Sequence, residues 1–301
     1  IANIAKNKIK TICYNFMPIV DWTRTQLDFK LPTDGLALKF NYLQIIIFEM
    51  HILKLKNLDS RYSKKQINDA EKLYKKMKPK DINNMKFSIM GGLPASETNY
   101  SISGFKKMLD AYKNVQHNDL RENLRDFIKA IIPIAEENNI KMAIHPDDPP
   151  IPLFGVPRIV STYDDYNFIL NSYNSESNGM TFCSGSLASN IHNNIYKIFN
   201  KFKDKVNFIH LRNVKIEKDN KSFYESNHLS GDVDFVKLIK MILKEENRRS
   251  KNKKVEIPMR PDHGHALLDD QKKKTFNPGY TAIGRLMGLS ELRGIIKALE
   301  N

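Results

Sequence analysis

NIYKIFNKFKDKVNFIHLRNV, residues 194–214, is the stretch that decides the fold. Its first half places apolar residues at helical spacing, and its second half contains the short, mostly apolar run VNFIHL. Such a run is typical of a strand that is buried on both faces, as in a parallel sheet. The stretch therefore predicts a helix followed by a buried strand, which is the repeating unit of α/β proteins.

The same patterns recur on both sides of this stretch. Further strands are predicted at KTICYNFMPIV (10–20), KMAIHP (141–146), GMTFCSG (179–185) and VEIPMRPDHGH (255–265). Further helices are predicted at LRENLRDFIKAIIPIAEENNI (120–140), TYDDYNFILNSY (162–173), DFVKLIKMILKEE (234–246) and AIGRLMGLSELRGIIKALE (282–300). Five strands alternating with helices indicate an open doubly wound sheet or a (β/α)8 TIM barrel. No G-x-G-x-x-G motif or P-loop follows any strand, which weakens the nucleotide-binding version.

A TIM barrel is built from eight βα units, and the pattern supplies five. We therefore expect a barrel that lacks about its first three βα units, in a single domain over residues 1–301. The charged segment 36–115 is predicted to be a mostly helical insertion within that domain.

The composition limits the classes of protein that need to be considered. The formal charge of +14 comes mainly from lysines that are scattered rather than striped, so we expect no nucleic-acid partner. No run of about 18 apolar residues is present, so no membrane span is expected. Two cysteines do not make a disulfide framework, which favours a reducing cytoplasm.

Four consecutive strands end in side chains that bind metals, namely His145, Cys183, His210 and Asp262. A single histidine at a strand end usually has a structural role, but the strands of a parallel barrel all end on the face that carries the active site. These four side chains are therefore expected to converge. The thiolate alone favours Zn²⁺, whereas the mixed N, O and S set also suits Fe²⁺ or Mn²⁺. Cys13 is predicted to lie in the core.

The motifs that contain these residues resemble the mannonate dehydratase family. They are CYNFMPIVDWTRT, AIHPDDPP, RIVST, TFCSGSLA, FIHLRNVK, NHLSGDVD and RPDHGHALLDDQKKKTFNPGYTAIGRLMGLSELRG. The resemblance implies a TIM barrel of the xylose-isomerase-like type. It also implies dehydration of D-mannonate to 2-dehydro-3-deoxy-D-gluconate in hexuronate (glucuronate) catabolism, with Mn²⁺ or Fe²⁺ as cofactor.

The resemblance also assigns roles to residues. Its metal ligands match the four residues at the strand ends, and its acid–base pair matches His263 and Tyr280, without deciding which is the base. Six side chains are candidates for contact with the substrate: Arg212, Asn213, His265, Arg260, Trp22 and Arg24. His228, on the loop after the His210 strand, is a further candidate for contact with the substrate, because that loop is predicted to reach the same face.

Three alternatives stay open at this point. A metal-dependent sugar isomerase on the same barrel usually places several carboxylates around its metals, and only one aspartate appears here. The others are a nucleic-acid-binding protein and an inactive fragment. A homodimer is the expected assembly.

Overall fold

The computed structural model describes residues 1–19, 22–91, 101–273 and 277–300. The strands of this part of the chain are β1 (Thr11–Tyr14), β2 (Gln26–Lys30), β3 (Leu36–Phe40), β4 (Lys141–Ile144), β5 (Asn178–Cys183), β6 (Val206–Leu211), β7 (Val214–Ile216), β8 (Phe223–Glu225) and β9 (Met259–Pro261). The helices are α1 (Ala2–Lys6), α2 (Tyr42–Ile47), α3 (Lys64–Tyr74), α4 (Pro79–Gly91), α5 (Ile102–Tyr112), α6 (His117–Glu137), α7 (Tyr163–Ser172), α8 (Ser184–Ala188), α9 (Ile195–Phe202), α10 (Phe235–Lys251) and α11 (Ala282–Leu299). A π-helical turn, Phe48–Ile52, extends α2, and 3-10 turns lie at Leu58–Ser60, Lys203–Lys205 and Leu268–Lys272.

The main sheet is the one that the sequence predicts. Five parallel strands pair in the order β1-β4-β5-β6-β9, which is also their order along the chain. A doubly wound sheet reverses its strand order at a switch point, and this sheet does not. The sequential order is that of a barrel wall, so the α/β-barrel prediction is confirmed at this level.

The sheet is strongly curled. In the strand order, β4 and β9 are three inter-strand intervals apart, which would be about 14 Å in a flat sheet. Nevertheless, the ligand atoms of His145, just after β4, and of Asp262, just after β9, lie within 4.8 Å of each other. The side chains at the strand ends therefore lie on the concave face.

Helices pack on the other face of this sheet and bury its apolar residues. Helix α9 buries Ile195, Ile198, Phe199 and Phe202, which follow helical spacing. Helix α6 contributes a similar stripe from Leu120 to Ala135. The apolar residues whose spacing predicted these helices are thus the ones that pack against the strands.

A second, antiparallel sheet was not predicted. Its strands pair in the order β2-β3-β8-β7, so Leu36–Phe40 is a strand although the segment 36–115 was predicted to be mostly helical. Helices occupy that segment from Tyr42 to Tyr112, while residues 92–100 lie outside the described part. Strand β3 forms a hairpin with the neighbouring β2 and also pairs with Phe223–Glu225, which is far away in sequence and which local patterns do not reveal.

The helical segment has its own apolar core. This core is continuous with the antiparallel sheet, because the ring of Phe40 stacks on Phe223 with centroids 5.5 Å apart. None of the helices in the described ranges is long and apolar enough to cross a membrane.

Cys13 does not lie in the core, and this prediction is wrong. Its thiol is exposed and accepts a hydrogen bond from Thr181 Oγ1 at 3.2 Å. Thr181 stands two residues before Cys183, so alternation along β5 gives both the same face. Cys13 therefore lies on the concave surface, away from the helices.

Candidate metal centre and adjoining histidine

Four side chains from four neighbouring strands meet at one point on the concave face. His145, Cys183, His210 and Asp262 each offer a ligand atom, and these atoms all lie within 4.8 Å of one another. The parallel register explains the convergence, because Cys183 pairs with His210, and His210 pairs with the residue two positions before Asp262. The structure thus brings together the four residues that the sequence selects.

Hydrogen bonds and charges prepare these side chains to bind a cation. His145 Nδ1 donates to the carbonyl oxygen of Pro146 at 2.7 Å, so in the neutral imidazole Nε2 carries the lone pair. Burial alone would raise the pKa of the Cys183 thiol, but the neighbouring Arg212, His145 and His210 side chains bring it well below its ordinary value. Burial also opposes ionisation of Asp262, yet His263, His210 and Arg212 hold its pKa far below its ordinary value. A thiolate and a carboxylate are therefore present.

The donor set fits a single divalent ion. Ligand atoms bound at about 2.0–2.3 Å from one ion lie at most about 4.6 Å apart, close to the 4.8 Å observed. His210 Nδ1 is buried and has no hydrogen-bond partner among the described residues, so a potential ligand atom at the cluster is unsatisfied. Two imidazoles, a thiolate and a carboxylate suit Zn²⁺, Fe²⁺ or Mn²⁺.

His263, the residue after Asp262, connects this cluster to a second group of polar side chains. Its Nδ1 lies 2.7 Å from both carboxylate oxygens of Glu225, and its Nε2 lies 3.2 Å from the Tyr280 hydroxyl. The Nε2 atom is also 3.7 Å from Asp262 Oδ2. A carboxylate, an imidazole and a phenol thus form a continuous chain beside the ligand cluster.

Backbone pairing brings Tyr280 to this position. Gly264 forms an isolated parallel bridge with Tyr280, and its N–H donates to the Gly279 carbonyl at 2.8 Å. Gly279 has a φ of +82°, a conformation that favours glycine. A Cβ at Gly279 would also lie 2.6 Å from Leu38 Cδ1, so strand β3 of the antiparallel sheet packs closely against this turn.

The pKa of Glu225 is lowered and that of Tyr280 is raised. Burial would raise the pKa of Glu225, but His263, Arg212 and Arg24 outweigh it and lower the value to about 2. Burial and the nearby carboxylates Asp262 and Glu225 raise the pKa of Tyr280. The site therefore holds an ionised acceptor at one end of the chain and a protonated hydroxyl at the other.

Two buried arginines balance the negative charge around this chain. Arg24 donates to Asp148 at 2.8 and 3.1 Å and to Glu225 at 2.9 Å, while Arg212 donates to Asp148 at 2.6 Å. Arg212 also lies 3.6 Å from Asp262. Both arginines are engaged with protein carboxylates, which does not favour their predicted role as direct contacts for a substrate.

Replacing Arg24 with methionine is expected to lower the free energy of unfolding by about 3–5 kcal/mol. The change leaves Glu225 and Asp148, both buried, without one of their charge partners. Urea unfolding followed by circular dichroism measures the loss. Lys30→Met is the matched control, since the Lys30–Asp34 pair is exposed and its removal should leave the unfolding midpoint unchanged. An Arg24→Met protein as stable as wild type would contradict this assignment.

Three predicted substrate contacts are occupied with backbone groups instead. Asn213 Nδ2 donates to the carbonyls of His228 at 2.7 Å and Val233 at 2.9 Å. His228 Nε2 lies 3.1 Å from the Leu211 carbonyl, and His265 Nε2 lies 2.9 Å from the Glu225 carbonyl. Asn213, His228 and His265 therefore hold the loops around the site rather than reach into it.

Arg260 and Trp22 remain at the site. Arg260 keeps 39% of its side chain exposed, with Nε 3.2 Å from His210 Nε2 and Nη2 3.3 Å from Asp262 Oδ1. Trp22 is buried with its ring perpendicular to His263 at 5.9 Å, and no residue in the described ranges forms a hydrogen bond with its Nε1. Arg260 is thus the predicted arginine whose cation remains accessible.

Two residues of the site were missed in the sequence. Glu225 ends the short strand β8, and its only local signal is an acidic residue closing an apolar run. Asp148 stands in AIHPDDPP, three positions after His145, where two successive aspartates gave no reason to prefer one. Both act through partners that are distant in sequence.

Comparisons with known proteins agree over the whole chain. A sequence profile described as D-mannonate dehydratase (UxuA) matches residues 1–301. Mannonate dehydratase of Marinomonas sp. (strain MWYL1) is 41% identical over 300 residues, which are 99% of this chain and 76% of the relative. Mannonate dehydratase of Saccharophagus degradans is 41% identical over 302 residues, again covering 76% of the relative.

A solved structure agrees with these sequences. The crystal structure of mannonate dehydratase from Streptococcus suis serotype 2 superposes with a TM-score of 0.72 at 30% identity. The match covers 99% of this chain and 68% of that one. Fold and sequence therefore lead to the same group of proteins.

Proposed function

The chain belongs to the D-mannonate dehydratase (UxuA) family, and on that premise we propose how its own residues remove water from D-mannonate. The product is 2-dehydro-3-deoxy-D-gluconate, formed by a hydro-lyase step in hexuronate catabolism. The observation that carries the proposal is the adjacency of the four-ligand cluster to the Glu225–His263–Tyr280 chain.

His145, Cys183, His210 and Asp262 would hold one Mn²⁺ or Fe²⁺ ion. The bound ion would supply Lewis-acid polarisation of a substrate oxygen, which makes the proton on C2 easier to remove. The softness of the thiolate and the single carboxylate support this choice of cofactor over a magnesium site. Cys183 can serve only while its thiol is reduced, in keeping with a cytoplasmic enzyme.

His263 is assigned as the base. Glu225 is ionised and can only accept a hydrogen bond, so His263 Nδ1 carries the proton and Nε2 carries the lone pair. That lone pair faces Tyr280 and the ligand cluster, where the substrate would lie. Nε2 takes the C2 proton of the substrate.

Tyr280 is assigned as the acid. Its raised pKa keeps the hydroxyl protonated, so it can donate to the oxygen that leaves C3. The C2–H electrons form the C2–C3 double bond as the C3–O bond breaks, and the oxygen departs as water. The 3.2 Å contact with His263 Nε2 then provides a route for the abstracted proton to restore the phenol. The resulting enol ketonises to the product.

Arg260 is assigned as the contact for the substrate carboxylate. Arg260→Met is expected to raise KM for D-mannonate about 10- to 100-fold, the effect of losing one hydrogen bond to a charged group. Steady-state kinetics measures it, with bound metal determined in parallel because Arg260 borders two ligand residues. An unchanged KM in metal-loaded Arg260→Met protein would remove Arg260 from this role.

The activity itself is tested by restoring metal to metal-free protein in the presence of D-mannonate. Turnover to the 2-keto-3-deoxy acid with Mn²⁺ or Fe²⁺, and none without metal, is expected. A folded, metal-loaded protein that leaves D-mannonate unchanged but isomerises a free sugar would favour the isomerase alternative. The single carboxylate in the cluster argues against that alternative.

We extend the barrel assignment in the same way. The five parallel strands would be part of an eight-stranded, xylose-isomerase-like barrel, with the helices of the segment 36–115 inserted in it. Support comes from the sequential strand order and from relatives of which this chain covers 76%.

A further inference from the structure

We propose that Glu225 is the positioning residue of the acid–base pair, setting the tautomer and orientation of His263. This inference rests on the proposed function, because it assigns His263 Nε2 to the reacting proton. Glu225 would not touch the substrate. It would act through the imidazole alone.

The first support is the geometry of the contact. Both oxygens of Glu225 lie 2.7 Å from His263 Nδ1, and both residues are almost completely buried. A carboxylate has no proton to offer, so the ring must carry its proton on Nδ1. In a histidine, the partner of one ring nitrogen decides the state of the other. Glu225 therefore selects the Nδ1–H tautomer of the neutral ring, in which Nε2 carries the lone pair.

The second support is that the carboxylate is itself held from behind. Arg24 donates to Glu225 at 2.9 Å, and Arg212 lies 3.8 Å away. Arg24 also binds Asp148, three residues after the ligand His145, so the position of Glu225 is tied to the strand that carries the metal site. A carboxylate fixed on both sides holds a ring more firmly than a free one.

The third support is that the aromatic neighbours of His263 do not select its tautomer. Trp22 and Tyr280 meet His263 edge-on at 5.9 and 4.9 Å between ring centroids, and these contacts limit tilting without selecting a tautomer. A ring flip would exchange Nδ1 with Cδ2 and Nε2 with Cε1 while keeping both aromatic contacts. The contacts of Nδ1 with Glu225 and of Nε2 with Tyr280 distinguish the two orientations, and of these two partners the carboxylate is the one that has no proton and so selects the tautomer.

The antiparallel sheet thereby acquires a function. Strand β8 ends at Glu225 and pairs with β3. Leu38 of β3 packs closely against Gly279, in the turn before Tyr280. The same small sheet supports the partner of the base and the turn that carries the acid.

Glu225→Gln is expected to lower kcat about 10²- to 10⁴-fold, the range for losing a correctly oriented acid–base group. KM and bound metal should stay within about threefold, because the carboxylate contacts neither substrate nor ligand cluster. Glu217→Gln is the matched control, since Glu217 lies just after β7 in the same hairpin and pairs with Lys39. It should keep wild-type kcat. An unchanged kcat in Glu225→Gln, or equal losses in both variants, would overturn the proposal.

The tautomer is measured directly by ¹⁵N NMR of histidine-labelled protein loaded with diamagnetic Zn²⁺, at mildly alkaline pH. His263→Asn assigns the signal. The wild-type ring should carry its proton on Nδ1, and Glu225→Gln should shift the population toward Nε2–H. A wild-type ring protonated on Nε2 would refute the inference even if the glutamine variant failed to fold.

Dehydratase activity and the tautomer of His263 are measured independently, so either can fail without the other. A protein without dehydratase activity whose His263 is nevertheless protonated on Nδ1 would refute the proposed function and leave the tautomer assignment standing. An active wild type with the opposite tautomer would do the reverse.

Discussion

His263→Asn is expected to lower kcat for D-mannonate about 10³- to 10⁴-fold while the protein keeps its metal. The asparagine removes the Nε2 lone pair that faces Tyr280 and the ligand cluster, so no group remains to take the C2 proton. A positioned general base typically contributes about 10²- to 10⁴-fold, and here the phenol also loses its route to reprotonation. Steady-state kinetics gives the rate, and elemental analysis gives the bound metal.

His192→Asn is the control for this variant. His192 is exposed on the loop between α8 and α9, and its replacement should change neither quantity. A His263→Asn protein within about threefold of wild type would exclude His263 as the base. Loss of metal together with activity would instead place His263 among the ligands.

Cys183→Ser is expected to weaken metal binding by more than about 100-fold and to abolish activity at limiting metal. Changes in groups that only support metal ligands already cost about 10- to 100-fold, and serine exchanges a ligating thiolate for a neutral hydroxyl. The thiol sits beside Arg212, His145 and His210, which favour its anionic form. Competition with a metal-binding dye measures the affinity.

The second cysteine of the chain provides a matched control. Cys13→Ser makes the same atomic exchange on the same concave face, outside the four-residue cluster. It should keep both metal and activity. If Cys13→Ser lost metal as readily as Cys183→Ser, the effect would come from perturbing the sheet and not from removing a ligand.

The sequence predicted the parts of this protein that depend on local pattern. The strand around His210 and its flanking helices follow from apolar spacing alone. The convergence of Cys183 with His210 follows from the rule that parallel strands end on one face. The alternation of side-chain direction along this stretch also indicates that Asn213 lies away from the site. It places residues 210 and 212 on one face and Asn213 on the other, as its backbone contacts require.

The parts that sequence reasoning missed depend on pairings between distant segments. Glu225 is paired with Val214 in the β7–β8 hairpin, and β8 also pairs with β3, from which it is separated by most of the chain. Arg24 was expected to reach the substrate, but the buried carboxylates of Asp148 and Glu225 bind it first. A local sequence pattern does not predict these partners, because each lies on a segment that is distant in the sequence.

The most direct test of the central claim is X-ray absorption spectroscopy of the manganese-loaded protein, with metal content measured on the same sample. We expect one ion per chain, with one sulfur and two imidazoles among its ligands in wild type and no sulfur ligand on any ion that Cys183→Ser retains. Two ions per chain, or a single ion with only oxygen and nitrogen ligands in wild type, would contradict it.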